Sequence, residues 1–454
     1  MAVMKENVHE NAKEHEMIYK LDGRPSLKIA IPLGLQHVLA MFIGNVAPII
    51  VICSILQIPM AQKTMMIQGA MLIAGLVTLV QLYPIGPIGA KLPIVVGTSF
   101  AFMPSAIAAG KAYGLPGVLG AAFAGSLSAI LLGIFIKPLR RFFPSLVTGV
   151  VLIAIGVNLM PVGINYFAGG VGSKTFGDPR NFLLGFIVLI TILLVQRFAK
   201  GALNLSAVLI GLIVGYIVAI PMGMVSFANV ASAGWLSVPV PFASGMEFHW
   251  DAIIKFAAVY IVVSLETLGN LSGITLAGEN REATPKEMQG AILADGLGSA
   301  LAAVFGILPN TAYGQNAGIV AMTKVMNRFC VATGAIFLIA AGLFPKLAAI
   351  CAAMPSSVLG GAVVMVFAMI FISGMKMVTR NGLNTRDTSI LAVAIGVGVG
   401  MSTVPAALEH LPYVAKFILE DSIICSALIA IVLNAILPKE KETQPVNQPS
   451  LGMK

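Results

Sequence analysis

The chain has 454 residues, of which 58% are hydrophobic and only 10% charged, against roughly 25% charged residues in a soluble globular domain. Its mean hydropathy is +0.94, and the basic residues behind its net charge of +9 stand at the ends of apolar runs, where they set membrane orientation. That excludes a soluble globular fold and gives no footprint for nucleic acid; the expected class is an all-α polytopic membrane protein.

The first thirty residues are polar and mixed in charge, without an apolar stretch before a small-residue cleavage site, so no removable leader is expected. From Leu27 onward apolar spans recur, each long enough to cross about 30 Å of hydrocarbon or to share the crossing with an irregular piece. Fourteen are predicted, at about 29–54, 64–84, 93–110, 114–136, 144–165, 181–196, 203–221, 252–276, 288–306, 309–323, 329–345, 352–373, 388–408 and 414–437.

Span one carries Gln36, His37 and Asn45. A lone intramembrane histidine is more often a satisfied interior residue than a ligand contact. Span three opens on Leu92-Pro93 and runs through Gly97-Thr98-Ser99-Phe100, placing two hydroxyls beside an aromatic ring that suits either apolar packing or stacking on a flat ligand.

Span eight holds Glu266 with no lysine or arginine on its span placed to pair with it; a carboxylate at the bilayer centre costs about 3 kcal/mol even on a lenient insertion scale. Asn270 and Gly273 share its face of the helix, forming a polar and small stripe that can accept ligand N–H groups. Asp295 in span nine, with Ser299 on the same face, is a second intramembrane acid. It reads equally as a proton carrier or as an anchor receiving backbone N–H groups.

Span ten reads Leu308-Pro309-Asn310-Thr311-Ala312-Tyr313-Gly314-Gln315-Asn316-Ala317-Gly318. A proline, two glycines and an amide pair, taken as exposed, inside an apolar chain predict a broken helix whose free end faces a ligand, since irregular backbone in hydrocarbon survives only where protein or a watery cavity receives it. The alternative is a glycine-rich seam between helices.

The chain also repeats itself. Pro144-Ser145, Gly149 and Gly163 of span five recur at one common offset as Pro355-Ser356, Gly360 and Gly374 of span twelve, and Leu92-Pro93 of span three is matched by Leu308-Pro309 of span ten. Both pairs relate a span to the one seven later, so two halves of seven, inverted because seven is odd, are expected. Spans three and ten then meet at the midplane, each helix N-terminus offering about half a positive charge and unpaired N–H groups.

Lysine and arginine placement puts both termini in the cytoplasm, with Lys20, Arg24, Lys28, Lys137, Arg140, Arg141, Arg197, Lys200, Arg281, Lys286, Lys324, Arg328, Lys376, Arg380, Arg386, Lys439 and Lys441 inside. The loop 222–251 becomes the largest external connection. Cys53, Cys330, Cys351 and Cys425 lie in apolar segments without paired or metal-ligand spacing and read as small core residues. The sequence carries no Walker loop, no His-Glu-x-x-His and no Gly-x-Ser-x-Gly, so no catalytic residues, metal or cofactor are expected.

At Gln315-Asn316-Ala317-Gly318-Ile319-Val320-Ala321-Met322-Thr323-Lys324 the chain resembles the signature of the nucleobase/ascorbate transporter family, the nucleobase-cation symporters of the second type. Gly34-Leu35-Gln36-His37-Val38, Gly97-Thr98-Ser99-Phe100, Ser264-Leu265-Glu266-Thr267 and Ala294-Asp295-Gly296 follow the family order. Phe143-Pro144-Ser145-Leu146-Val147-Thr148-Gly149 looks most like bacterial xanthine and urate permeases; Asn270 and Ala317 depart from the commoner family residues.

The resemblance implies a core domain of residues 27–140 and 251–350, a gate domain of 141–250 and 351–438, and cytoplasmic tails at 1–26 and 439–454, with short strands in spans three and ten. It implies a homodimer in the bacterial cytoplasmic membrane, importing xanthine and/or urate by proton symport with elevator-like movement. Glu266 and Gln315 would hold the base edge, Phe100 and Ser99 would line it, Gly314 N–H groups would receive a carbonyl and Asn316 would shape the pocket. Asp295, His37 and Asn270 would support the site or the proton path. An amide at Gln315 offers both donor and acceptor, which suits an oxidised purine better than uracil. A uracil carrier and an anion exchanger of the same plan are the alternatives.

Overall fold

The computed structural model describes residues 20–139, 144–380 and 382–438. Arg140, Arg141, Phe143, Lys439 and Lys441, and most of both tails, lie outside the described residues. The fold is predominantly helical. Helices α1 (Leu27–Ile55) and α2 (Met60–Leu82) lead to strand β1 (Val96–Thr98), a 3₁₀ turn (Phe100–Phe102) and helix α3 (Met103–Ile134). Next come α4 (Ser145–Phe167), α5 (Pro179–Phe198), α6 (Ala207–Ala219), α7 (Trp250–Glu279) and α8 (Pro285–Val304). Strand β2 (Asn310–Ala312) then precedes α9 (Gln315–Thr323), α10 (Arg328–Gly342), α11 (Pro345–Ala352), α12 (Ser356–Val378), α13 (Thr385–Thr403) and α14 (Ser422–Ile436).

Among the described residues seven helices are long and apolar enough to cross a membrane, or eight if α10 and α11, bent by 82°, count as one span. The remaining apolar segments are shorter or broken. Helix α3, one of the seven, is itself kinked, since Gly114 at φ 70° and ψ −173° interrupts it just before Pro116; that backbone region favours glycine, and the missing proline N–H completes the break. Two breaks differ from the sequence reading. Helix α11 follows α10 as a separate element after Phe344, and the last span divides at Asp421, whose carboxylate caps α14 by accepting from the N–H groups of Ile423 and Ile424. The connection from α6 to α7 holds only the short helix Ala228–Ser232 and is pinned where Phe242 N–H donates to Val304 O at 2.7 Å and Glu247 N–H to Pro116 O at 3.0 Å.

The two strands pair antiparallel, Gly97 opposite Thr311. A two-stranded ribbon leaves both outer edges with unpaired N–H and C=O groups, each costing several kcal/mol in an apolar interior. Side chains from four helices, together with Tyr313 just after β2, seal them. On β1, Thr78 Oγ1 accepts from Val96 N–H at 3.0 Å and donates to its carbonyl at 3.5 Å, Asn45 Oδ1 accepts from Thr98 N–H at 2.8 Å, and the Tyr313 hydroxyl donates to Thr98 O at 2.6 Å. On β2, Ser299 Oγ accepts from Asn310 N–H at 2.9 Å and donates to its carbonyl at 3.3 Å, Asp295 accepts from Ala312 N–H, and Asn270 Nδ2 donates to Ala312 O at 2.8 Å.

Helices α4 and α12 run antiparallel in close contact through glycines. A Cβ on Gly149 would lie 2.8 Å from Gly374 O, and one on Gly360 would lie 2.1 Å from Phe167 N. The offset that relates the two helices in sequence also exchanges their contacts: Gly149 meets Val378 as Gly360 meets Phe167, and Gly163 meets Val364 as Gly374 meets Ile153.

Candidate substrate site

Each strand of the ribbon ends at the start of a helix. After β1, Ser99 N–H donates to Pro309 O at 2.8 Å and its hydroxyl accepts from Ala101 N–H at 3.3 Å, capping the turn that begins with Phe100. After β2, Tyr313 and Gly314 lead into α9. Asn316 N–H turns back to Tyr313 O, whereas the N–H groups of Gly314 and Gln315 have no partner among the described residues. They are the orphan donors of a helix start and carry its positive dipole end.

The stripe predicted on α7 faces this start. Asn270 reaches Ala312 O, and its Oδ1 stands 2.7 Å from where a Cβ on Gly314 would be. One turn on, a Cβ on Gly273 would lie 3.2 Å from that of Ala317. Glu266, one turn before Asn270, is partly exposed and accepts no hydrogen bond from the described residues. Gln315 is exposed, and its amide likewise has no partner among the described residues. Along α9 the positions Gly314, Gln315, Gly318, Ala321 and Met322 are exposed, leaving one side of the helix open from its start toward Lys324.

The rest of the predicted set is committed to structure. Asp295 is buried and receives Gln81 Nε2 at 3.0 Å, the Thr267 hydroxyl at 2.5 Å and Ala312 N–H, so its carboxylate ties α2, α7 and β2 together. His37 is buried, with Nδ1 3.3 Å from Asn316 Oδ1. The amide pair expected to be exposed is therefore split: Gln315 is open, while Asn316 is fully buried behind it because His37 holds it from α1. Phe100 is also buried, its ring edge-on to Phe367 of α12 at 5.0 Å.

Several neighbours of the site had weak signals. Tyr313 is buried between Gly44 and Gly97, with its hydroxyl on Thr98 O. Thr78 and Gln81 lie three residues apart in the apolar run of α2, a spacing that places both on one face; the pair of polar side chains there was the available clue.

A family model described as "Permease family" (Xan_ur_permease) matches residues 28–407. The chain is 37% identical over 432 residues to a putative purine permease of Clostridium perfringens, covering 95% of each. It is 33% identical to the xanthine permease XanP of Escherichia coli, covering 94% of this chain and 96% of the relative, and 37% identical to the uric acid permease PucK of Bacillus subtilis, covering 89% and 94%. The fold is similar to the transmembrane domain of the cyanobacterial bicarbonate transporter BicA, with TM-score 0.52, 14% identity and coverage of 88% and 96%. It is also similar to the murine SLC26 member A9 anion transporter, with TM-score 0.56, 14% identity and coverage of 90% and 68%. At such identities these two speak for the fold alone: a polytopic membrane architecture. With motifs and family model agreeing over nearly its whole length, the chain belongs to the nucleobase/ascorbate transporter family, a family of permeases.

Proposed function

We propose that this permease imports oxidised purines, xanthine and/or urate, by proton symport across a bacterial cytoplasmic membrane, with both termini in the cytoplasm. The observation that carries the reading is that Glu266 of α7 and Gln315 of α9 have no hydrogen-bond partner among the described residues, on two elements that meet where Asn270 reaches Ala312 O, beside the orphan N–H groups of Gly314 and Gln315. Together they offer a carboxylate acceptor, an amide with donor and acceptor, and backbone donors. That set matches the N–H and C=O edge of an oxidised purine. The names of the curated relatives favour the same substrates.

Of the three groups able to carry a proton, Asp295 is filled with donors and His37 is tied to Asn316. Glu266 is the one whose charge the ligand can change, because no described side chain neutralises it or hydrogen-bonds to it. We assign coupling to Glu266 and support of the site to Asp295, His37 and Asn270; Asn316 shapes the pocket wall, and Ser99 and Phe100 line it from the β1 side.

Movement is of the elevator type in this reading. Residues 27–140 and 251–350 form a core that carries the ribbon, and 141–250 with 351–438 form a gate, the whole comprising fourteen segments in two inverted halves. Support comes from the matched edge seals, Thr78 on Val96 and Ser299 on Asn310, and from the exchange of glycine contacts between α4 and α12. The Phe100 ring, against Phe367, lies on the surface where core would slide past gate, and the gate supplies the homodimer contact.

The test is uptake of labelled xanthine and urate into cells expressing the protein, with and without a protonophore and sodium. Saturable accumulation abolished by the protonophore and indifferent to sodium supports the reading. Accumulation of uracil in preference to both purines, or a sodium requirement, overturns it.

A further inference from the structure

A cavity of about 370 Å³, with neither Glu266 nor Gln315 in its lining, sits between the α1–α2 turn, the end of α4 with the loop that follows it, and the start of α12. This is the size of a small-molecule site. Its lining includes Lys63, Asn165, Ser356, Ser54, Cys53 and Tyr166, and no acidic residue among the described lining.

Lys63 is the unusual member. Only 8% of it is exposed, and among the described residues its ammonium donates to one partner, the carbonyl of Ala352 at 3.0 Å, at the end of α11. An ammonium has three N–H donors, and a buried charge without an opposite charge is costly. On the same cavity, the partly exposed Asn165 amide and Ser356 hydroxyl have no partner among the described residues. One buried cation and two free polar groups therefore line a single cavity with no negative charge beside them.

We propose that this cavity is a binding site for a small monovalent anion, held by Lys63 with Asn165 and Ser356 and separate from the purine site. Its walls come from α1 and α2 on one side and from α4 and α12 on the other, so an occupant bridges the two groups of helices. Chloride and the monoanion of an oxidised purine share the required chemistry, a single charge with acceptor atoms.

Purified full-length protein is heated in detergent while chloride replaces gluconate at constant ionic strength, and separately while urate is added in gluconate. The wild type is expected to unfold about 2–4 °C higher at saturating anion. Lys63→Gln abolishes the chloride shift, Lys63→Arg retains it, and Glu266→Gln, which weakens the purine site, leaves it intact. A urate shift that survives in Glu266→Gln and vanishes in Lys63→Gln identifies the organic anion as an occupant as well. If Lys63→Gln does not fold, Asn165→Leu serves, with the chloride shift expected to weaken at least threefold in midpoint. An absent shift in the wild type, or one unchanged in Lys63→Gln or Asn165→Leu, overturns the proposal and leaves Lys63 as a cap for α11.

Discussion

The hydroxyl of Ser299 serves both polar groups of one residue, accepting from Asn310 N–H at 2.9 Å and donating to Asn310 O at 3.3 Å. Thr78 does the same for Val96 on the opposite edge of the ribbon. A three-residue strand pair has too few hydrogen bonds of its own to persist in an apolar interior. Its geometry, and so the placement of the Gly314 and Gln315 N–H groups, depends on side chains of helices remote in sequence.

Ser299→Ala should therefore destabilise the protein by about 1–3 kcal/mol, the cost of leaving buried peptide groups unpaired, and should reduce uptake by more than the loss of folded protein explains. Ser299→Thr keeps the hydroxyl and should restore most of both. Thermal unfolding in detergent and uptake per folded molecule check this; an inert Ser299→Ala would mean the edge is sealed by other groups.

Much of the site was legible because it is local. Glu266, Asn270 and Gly273 share a helix face by spacing alone, and Leu308-Pro309 with Gly314 announces a break wherever it occurs. What spacing cannot convey is contact between distant segments. His37 meets Asn316 across most of the chain, which turned an amide expected to be exposed into a buried one. The bend between α10 and α11 was hidden in an apolar run where hydropathy is blind to direction. The division at Asp421 was missed for a different reason: a capping carboxylate looks like any acid until the helix beyond it is placed.

Glycine substitutions separate packing from propensity. In Gly360→Ala the new Cβ would stand 2.1 Å from Phe167 N, a backbone atom that cannot rotate away, so α4 and α12 must part. A loss of about 3 kcal/mol or more is expected. Gly396 in α13 has nothing within 4 Å of the same atom, and Gly396→Ala should stabilise by about 0.5–1 kcal/mol through reduced backbone freedom. Unfolding temperatures of the two variants should move in opposite directions.

Asn327 ties the start of the described chain to the turn after α9. Its Nδ2 donates to Lys20 O and Gly23 O, both at 2.9 Å, and its Oδ1 accepts from Cys330 N–H at 2.9 Å, while Arg328 beside it pairs with Asp22. Asn327→Ala should cost about 1–2 kcal/mol as a lost helix cap and should speed proteolysis between Lys20 and Arg24. Unchanged cleavage kinetics would show that the contacts of Arg328, its N–H to Leu21 O and its ion pair with Asp22, hold this segment without the amide.

The last expectation concerns how Glu266 and Gln315 divide recognition. Glu266→Gln keeps shape and replaces a pure acceptor with a group that both donates and accepts. Purine N–H donors then lose a charge-assisted hydrogen bond, worth about 1.5–3 kcal/mol, so uptake at low substrate should fall about 10- to 150-fold, and the remaining transport should lose its dependence on the proton gradient. Gln315→Glu removes the donor while keeping an acceptor. It should weaken xanthine and urate without abolishing the proton dependence, and it should raise competition by uracil, whose edge asks less of that position. Full pH-driven uptake with unchanged affinity in Glu266→Gln would remove the carboxylate from the mechanism; an unaltered competition profile in Gln315→Glu would remove the amide from specificity. Because the two side chains sit on different elements, α7 and α9, the failure of one assignment leaves the other standing.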